Sequence, residues 1–149
     1  MKAITILEPW ASLIPLGQKN IETRSWGTKY RGSIAIHAAK SIKAWHLNLA
    51  WEEPFYSALA PQHNMIDGKP SIHYHRGCII GVAYLVDCPL MTAEKIAEWR
   101  DIYGPNEIAF GHFEPGRYGW ILANARPIEP VPVKGRLGLW EWNGDLKYV

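Results

Sequence analysis

Residues 9–40 read PWASLIPLGQKNIETRSWGTKYRGSIAIHAAK and contain a short apolar segment, a charged segment and a second apolar segment. Trp10, Leu13 and Ile14 recur at helical spacing, so they predict a short helix with one buried stripe. Pro15 cannot donate a backbone hydrogen bond in the last turn, and Gly17 is a typical residue after a helix end. The helix is therefore expected to stop near residue 15.

The charged segment contains the pattern G-x-K-x-x-E-x-R from Gly17 to Arg24. If residues 20–24 are extended, alternate side chains point the same way, which places Glu22 and Arg24 on one face. The small apolar run 33–39 that follows predicts an interior strand, in which His37 is expected to be a hydrogen-bonded core residue. A core does not need the charges of the pattern, so they are candidates for a site.

Hydrophobic periodicity along the rest of the chain predicts the remaining elements. We expect helices over 41–59, divided near Pro54, and over 92–103, a surface loop over 61–75, an irregular connection over 108–115, and strands over 2–7, 78–88, 117–125, 128–133 and 139–142. Strands and helices do not alternate regularly. The sequence therefore predicts one α+β domain over 1–149, a small mixed β-barrel of about five to seven strands flanked by about three helices.

The charge is small in sum and uneven along the chain. The formal net charge is +2, yet residues 1–47 hold seven Lys and Arg against two Glu. A basic patch of this kind attracts phosphates or other anions even on a nearly neutral protein. The chain also has eight Trp, and Trp10, Trp26 and Trp120 each adjoin polar or basic residues, where an exposed ring can stack on a base.

Other classes of protein are not favoured. There is no apolar run long enough to cross a membrane and no signal-peptide pattern, so we expect a soluble, cytoplasmic protein without membrane contact. Cys78 and Cys88 bracket one predicted strand, about 33 Å apart, which excludes a disulfide between them. The spacing of His73, His75 and Cys78 matches no zinc pattern. We expect no metal and no cofactor.

Several motifs together resemble the ASCH domain, in its coactivator-type branch. They are PWASL at 9–13, the pattern at 17–24, RSWGTKYRG at 24–32, IAIHAAK at 34–40, GCIIG at 77–81, LVDC at 85–88, PVKG at 132–135 and the Leu139–Trp140 end. The resemblance spans nearly the whole chain. It implies a PUA-like fold with a cleft between barrel and helices, and single-stranded RNA or DNA, or a modified nucleoside, in that cleft.

The resemblance leaves the chemistry of the cleft open. Relatives include binding modules, a ribonuclease and amidohydrolases that act on N4-acylcytidine, and those amidohydrolases share a Lys with a Thr three residues later. Here Lys19 is followed at that distance by Glu22, so the hydroxyl nucleophile is missing from its position. Thr23 is one residue away and is expected to face away from Glu22.

We therefore expect a nucleic-acid-binding module. The alternatives are a hydrolase, either ribonuclease or amidohydrolase, with Lys19 and Glu22 as its catalytic residues, and a protein-interaction role without nucleic acid. A further alternative for Glu22 and Arg24 is an ion pair that only fixes the fold. The oligomeric state is left open. The binding residues predicted for the first hypothesis are Trp10, Ser12, Lys19, Arg24, Ser25, Trp26, Lys29, Tyr30, Arg31, Lys40 and Tyr118.

Overall fold

The structure is a computed structural model that describes residues 1–149. Its strands are β1 (Lys2–Ile6), β2 (Ile21–Arg24), β3 (Gly32–Ala38), β4 (His63–Ile66), β5 (Lys69–Ile72), β6 (Cys78–Asp87), β7 (Tyr118–Pro132) and β8 (Leu139–Glu141). Its helices are α1 (Trp10–Leu13), α2 (Ala44–Leu49), α3 (Phe55–Ala58), α4 (Ala93–Tyr103) and α5 (Pro105–Ala109), with a 3-10 turn at Ala60–Gln62. The predicted α+β fold is confirmed.

Six strands form one sheet in the order β2-β7-β6-β3-β1-β8. The β1–β3 pair is parallel and the other neighbours are antiparallel. The pairing of β6 with β7 changes register three times, and β3 and β6 shift register once near Ile36. Such irregularities bend strands and increase their twist, so the sheet curls around the side chains of its inner face.

The largest apolar cluster lies inside this curl. Ile4, Ile6, Ile34, Ile36 and Leu85 are buried aliphatic residues of the strands in this cluster, and Ile14, Trp120 and Ala11 of α1 pack with them. Since side chains alternate along a strand, the even-numbered Ile residues of β1 and β3 share one face. Burial of this face ties α1 to the sheet and leaves the charged segment 17–24 at its edge.

Two predicted segments are wrong in their secondary structure. The predicted helix over 41–59 is two short helices, α2 and α3, and its expected division near Pro54 is confirmed. The predicted loop over 61–75 contains the β4–β5 hairpin, whose turn residues Asp67 and Gly68 have φ of 51° and 74°. Positive φ at both positions is the geometry of a two-residue hairpin turn, which an Asp-Gly pair favours.

Two further boundaries differ from the prediction. The expected irregular connection over 108–115 begins inside α5, which starts at Pro105. The strands expected over 117–125 and 128–133 are one long strand, β7, which passes through its prolines without a break. The longest helix, α4, has 11 residues, and no helix is long and apolar enough to span a membrane.

Candidate nucleic-acid interface

The charged strand β2 is held in place by a buried carboxylate from α5. Glu107 is 2% exposed and accepts hydrogen bonds from the backbone N–H of Asn20 at 2.8 Å and of Ile21 at 3.2 Å. The Asn20 side-chain amide also donates to it at 2.9 Å. A carboxylate that accepts three N–H groups is well compensated for its burial. Glu107 therefore fixes where β2 begins, and with it the position of Glu22 and Arg24.

Lys19 lies inside the molecule, behind β2. It is 1% exposed, and its Nζ donates to the carbonyl oxygens of Ile21 at 2.6 Å and of Phe110 at 2.7 Å. Glu22 Oε1 lies 3.7 Å from the same nitrogen. Burial lowers the pKa of Lys19, while the negative charges of Glu22 and then Glu107 oppose that shift. The ammonium is a cross-link between β2 and the end of α5.

Glu22 joins this buried cation to a more exposed one. Its Oε2 accepts from Arg24 Nε at 3.1 Å and lies 3.0 Å from Arg24 Nη2, which in turn donates to Thr5 O at 2.8 Å. Glu22 and Arg24 therefore share a face, as predicted. The Glu22 side chain is 10% exposed and that of Arg24 is 24% exposed, so the carboxylate and guanidinium both reach solvent on one side of the strand.

That side opens into a cavity of about 650 Å³, which we call the cleft. Its size falls within the range typical of small-molecule sites, about 300–1,000 Å³. The cleft is bounded by the end of β1, by β2 and the residues after it, by α2, and by the segment after α5. The residues that line it are Thr5, Ile6, Leu7, Trp10, Glu22, Thr23, Arg24, Ser25, Trp26, Lys43, Trp45, His46, Leu49, Phe55, Ala109, Phe110, Gly111, His112 and Arg117.

Aromatic rings form one wall of the cleft. Trp10 packs edge-on against Trp45, His46 and Phe55, with centroid separations of 6.2, 4.9 and 6.3 Å. Trp45 is 58% exposed, although its ring centroid lies 3.9 Å from that of His46. An indole that is fixed on one side and exposed on the other provides a surface on which a flat ligand can stack.

His46 adds a neutral ring to this wall. It is 2% exposed, and its Nδ1 is buried without a hydrogen-bond partner. Burial, and then the nearby charge of Lys43, lower the pKa of His46. The ring therefore stays uncharged at neutral pH, so the positive charge along the cleft comes from Lys43, Arg24 and Arg117.

Five residues predicted for the site line the cleft together: Trp10, Glu22, Arg24, Ser25 and Trp26. Trp26 is half-buried, and its ring centroid lies 4.9 Å from that of Trp120. The backbone carbonyl of Trp26 accepts a hydrogen bond from the Trp120 indole N–H. Trp120 itself is 1% exposed, so its indole supports the site from the core.

The other predicted residues lie elsewhere. Lys40 lines a neighbouring groove together with Arg24. Arg31 pairs with Asp87 at 3.3 Å, Tyr30 donates to Ser33 O at 2.6 Å, and Lys29 is exposed, all outside the cleft. Tyr118 packs over Gly27, where an added Cβ would lie 2.6 Å from the ring. These placements separate Lys29, Tyr30, Arg31 and Tyr118 from the aromatic wall.

Ser12 belongs to a different polar cluster. It is 4% exposed, its N–H and hydroxyl donate to Glu8 at 2.8 and 2.6 Å, and it accepts from the amide of Gln62 at 3.1 Å. Glu8 is fully buried, and burial raises its pKa to about 7 against the opposing hydrogen bonds from Ser12. Ser12 thus anchors the start of α1.

Thr23 also lines the cleft, but its hydroxyl is already used. Thr23 Oγ1 accepts from the backbone N–H of His112 at 3.0 Å. This bond ties β2 to the segment after α5, which forms the far wall of the cleft. The sequence predicted only that Thr23 faces away from Glu22. In the structure its hydroxyl contacts the backbone of His112.

Cleft residues from two distant segments were not predicted from the sequence, namely Lys43, Trp45, His46, His112 and Arg117. For α2 the sequence signal was ambiguous, because the position of Trp45 fits the buried stripe of a helix over 41–59 as well as it fits an exposed site. The shortness of α2 changes which face is covered, and Trp45 points outward. His112 and Arg117 adjoin no recognisable pattern, so only the three-dimensional structure brings them to β2.

The curled sheet and its flanking helices form a PUA-like fold, as the sequence predicted. The structure of ASCH from Zymomonas mobilis matches 89% of this chain and 73% of its own, with a TM-score of 0.51 and 14% identity. A mutant of the same protein matches with a TM-score of 0.50 and 16% identity, over 89% of this chain and 75% of that chain. At such identities the likeness shows the fold alone.

The ASCH domain family model matches residues 4–132, and the chain belongs to this family. The resemblance found in the sequence is thereby confirmed. Activating signal cointegrator 1 of Homo sapiens is 33% identical over 151 residues, and the protein of that name from Mus musculus is 27% identical over 150 residues. Each alignment covers 96% of this chain and 22% of the relative. The chain therefore spans about a fifth of the length of these relatives.

Proposed function

We propose that this domain binds single-stranded nucleic acid, with one unstacked base held in the cleft. The observation that carries the proposal is the combination of an exposed Trp45 ring with a fixed carboxylate–guanidinium pair, Glu22 and Arg24, in one cavity of about 650 Å³. Aromatic rings stack on any base, while fixed donors and acceptors contact base edges. Membership of the ASCH family supports the same function.

Glu22 and Arg24 have complementary roles in this proposal. An ionised carboxylate is only an acceptor and a guanidinium is only a donor, so together they fit a base edge that carries an amino group beside a ring acceptor. Lys19 holds Glu22 from behind and does not contact the ligand. The contacts of Arg24 with Glu22 and Thr5 use its Nε and Nη2 atoms, which leaves both Nη1 hydrogens for a ligand.

The hydrolytic alternative has no supporting contact. A catalytic Lys19 would have to reach a reacting atom, and its Nζ is instead buried and bonded to two carbonyl oxygens. The hydroxyl of Thr23 accepts a backbone hydrogen bond from His112. Binding requires no rearrangement of either group, so the geometry favours binding.

Fluorescence anisotropy with a labelled single strand of about ten nucleotides tests the proposal, because such proteins cover roughly 4–16 nucleotides. Trp45→Ala removes the exposed ring and is expected to weaken binding roughly 5- to 150-fold, from a stacking energy of about 1–3 kcal/mol per base. Trp51→Ala is the matched control, since Trp51 is 45% exposed and does not line the cleft.

Two results would overturn the proposal. The first is that the wild-type chain fails to bind RNA or DNA strands at about 50 mM salt, where phosphate contacts are strong. The second is that Trp45→Ala and Trp51→Ala weaken binding equally, which would remove the cleft from the interface. Circular dichroism of both variants verifies that each retains the wild-type fold.

A further inference from the structure

A second cavity adjoins the cleft, and we call it the basic groove. It has a volume of about 1070 Å³ and lies between the segment after β3, the start of β6 and the segment between β7 and β8. His37 and Thr5 lie at its base. The residues that line it are Thr5, Arg24, His37, Ala39, Lys40, Ser41, Arg76, Gly77, Cys78, Pro132, Val133, Lys134, Gly135, Arg136, Leu137 and Gly138.

The charge of this groove has one sign. Five lining residues are Lys or Arg, namely Arg24, Lys40, Arg76, Lys134 and Arg136, and none is Asp or Glu. A concave surface with one sign of charge concentrates the field and raises the local concentration of anions. Three of the five come from positions 76–136, outside the basic segment noted in the sequence.

Four of the five cations, all except Arg24, are also unpaired. Lys40, Arg76, Lys134 and Arg136 are exposed and take part in no ion pair within the chain, whereas elsewhere Lys2 pairs with Glu141, Arg31 with Asp87 and Lys147 with Glu129. Four like charges in one groove without a counter-charge repel one another. A bound polyanion would relieve that repulsion.

The groove is continuous with the cleft. Thr5 and Arg24 line both cavities, and the Arg24 guanidinium is held between them by Glu22 on one side and Thr5 O on the other. The Nη1 atom of Arg24 makes no hydrogen bond within the chain, so two fixed donors are available at the junction. A ligand that fills both cavities must pass this guanidinium.

The walls of the groove are bonded to one another. His37 Nε2 donates to Val133 O at 2.7 Å, Val133 N donates to Gly77 O at 3.1 Å, and Gly77 N donates to Ala38 O at 2.8 Å. Gly135 lies so close to His37 that an added Cβ would be 2.7 Å from its ring. A groove assembled in advance loses less conformational entropy when it binds.

From these observations we infer that the basic groove binds the phosphates of the nucleotides that flank the base in the cleft. The ligand is then a single strand of several nucleotides, and not a free or modified nucleoside, because a nucleoside has no phosphate for the groove. This inference rests on the proposed function and extends it. Neutralised phosphates release counterions, so each contact contributes a slope of about −0.7 to log affinity against log salt concentration.

The test uses the 149-residue chain with Lys134→Ala/Arg136→Ala, which removes two exposed, unpaired cations from the groove. The control, Lys69→Ala/Arg100→Ala, removes the same charge from exposed residues that line neither cavity. Binding of a labelled strand is measured across a series of salt concentrations. Competition by nucleoside, mononucleotide, dinucleotide and tetranucleotide gives the dependence on phosphate and on length.

We expect the groove variant to reduce the salt slope by about 1.4 and to weaken strand binding about tenfold at low salt, with the affinity for a free nucleoside unchanged. The control is expected to retain the wild-type slope. A wild-type slope in the groove variant, an equal loss in the control, or a mononucleotide that competes as well as the tetranucleotide would overturn the inference.

These outcomes separate the inference from the proposed function. If the wild-type chain binds strands, Trp45→Ala weakens that binding and the groove variant does not, only the groove inference fails. If the wild-type chain binds no strand at low salt, the proposed function fails and the groove inference fails with it.

Discussion

Lys19 shows what a single charged residue contributes when it is buried. Its place in the pattern at 17–24, beside other basic residues, predicted a ligand-binding cation. The structure surrounds its ammonium with two carbonyl oxygens and Glu22. One of those carbonyls belongs to Phe110, 91 positions away, and a contact of that separation leaves no local mark in the sequence.

Replacing Lys19 by Met tests its structural role. The variant leaves two buried carbonyl groups without their donor and Glu22 without one of its cations, so we expect a loss of roughly 3–5 kcal/mol in the free energy of unfolding. Urea denaturation followed by tryptophan fluorescence measures it. Lys29→Met is the control, because an exposed Lys is expected to change stability by no more than about 0.5 kcal/mol. A loss below about 1 kcal/mol for Lys19→Met would contradict the role.

At the scale of elements, the sequence predicted the strands and helices that are marked by a local pattern of apolar and capping residues. The strands β1, β3 and β6 and the helix α4 follow apolar periodicity and, for α4, the Thr92 cap, whose hydroxyl accepts from Lys95 N at 3.1 Å. The β4–β5 hairpin was missed although its Asp67–Gly68 turn is a recognised signal, because the flanking strands are exposed and lack alternation. Polar strands paired only with each other give little hydrophobic pattern.

The residues of the candidate site, too, could be predicted from the sequence only where the pattern that marks them is local. Residues next to one another in sequence, such as Glu22, Arg24, Ser25 and Trp26, were found because the pattern and its flanks are contiguous. The cleft is completed by α2 and by the segment after α5, and the groove by the segment between β7 and β8. Which of these segments meet β2 depends on sheet order and on the bends of β7, which single-sequence patterns do not encode.

The segment between β7 and β8 depends on a close contact at Gly135. In Gly135→Ala the new Cβ would lie 2.7 Å from His37 Cε1 and 2.8 Å from Thr5 Oγ1, so the segment must move outward. We expect stability to fall by about 1–3 kcal/mol, as in other overpacked sites, and the His37 Nε2–H resonance to shift as its bond to Val133 O weakens. Thermal denaturation and NMR spectroscopy measure the two effects.

Gly138→Ala is the control for this prediction. Gly138 lies in the same segment with φ of 68° and has no atom within 4 Å of an added Cβ. Its replacement is expected to cost about 1–2 kcal/mol through backbone strain while the His37 resonance stays in place. If Gly135→Ala also leaves that resonance unchanged, the contact does not position the segment.

At the scale of the whole molecule, charge along the chain differs from charge in space. Residues 1–47 carry an excess of positive charge, yet Arg31 is neutralised by Asp87 and Lys19 by Glu22. The groove draws Arg76, Lys134 and Arg136 from the remaining chain, whose formal sum is negative. The sequence was therefore right that a basic surface exists and incomplete about where its charges come from.

One buried carboxyl group, that of Glu8, is expected to make the stability of the protein depend on pH. Glu8 is fully buried, and its pKa is raised from 4.5 to about 7 by burial, while Tyr74 nearby has a buried hydroxyl without a partner. Between these two pH values the folded chain binds a proton that the unfolded chain has released. The free energy of unfolding therefore falls as pH rises from about 4.5 to about 7, by roughly 3 kcal/mol from this group.

Glu8→Gln removes this dependence and is compared with a matched control. Glu53 also precedes a proline, and it accepts from Ser57 N and Ser57 Oγ at 3.1 and 2.8 Å, as Glu8 does from Ser12, but it is exposed. We expect the stability of Glu8→Gln relative to wild type to rise by roughly 3 kcal/mol from pH 4.5 to above pH 7 in urea denaturation, because the amide has no proton to lose. Glu53→Gln is expected to keep the wild-type pH dependence. A constant difference between Glu8→Gln and wild type across this range would mean that Glu8 does not titrate there, and the fall in stability would then belong to other groups.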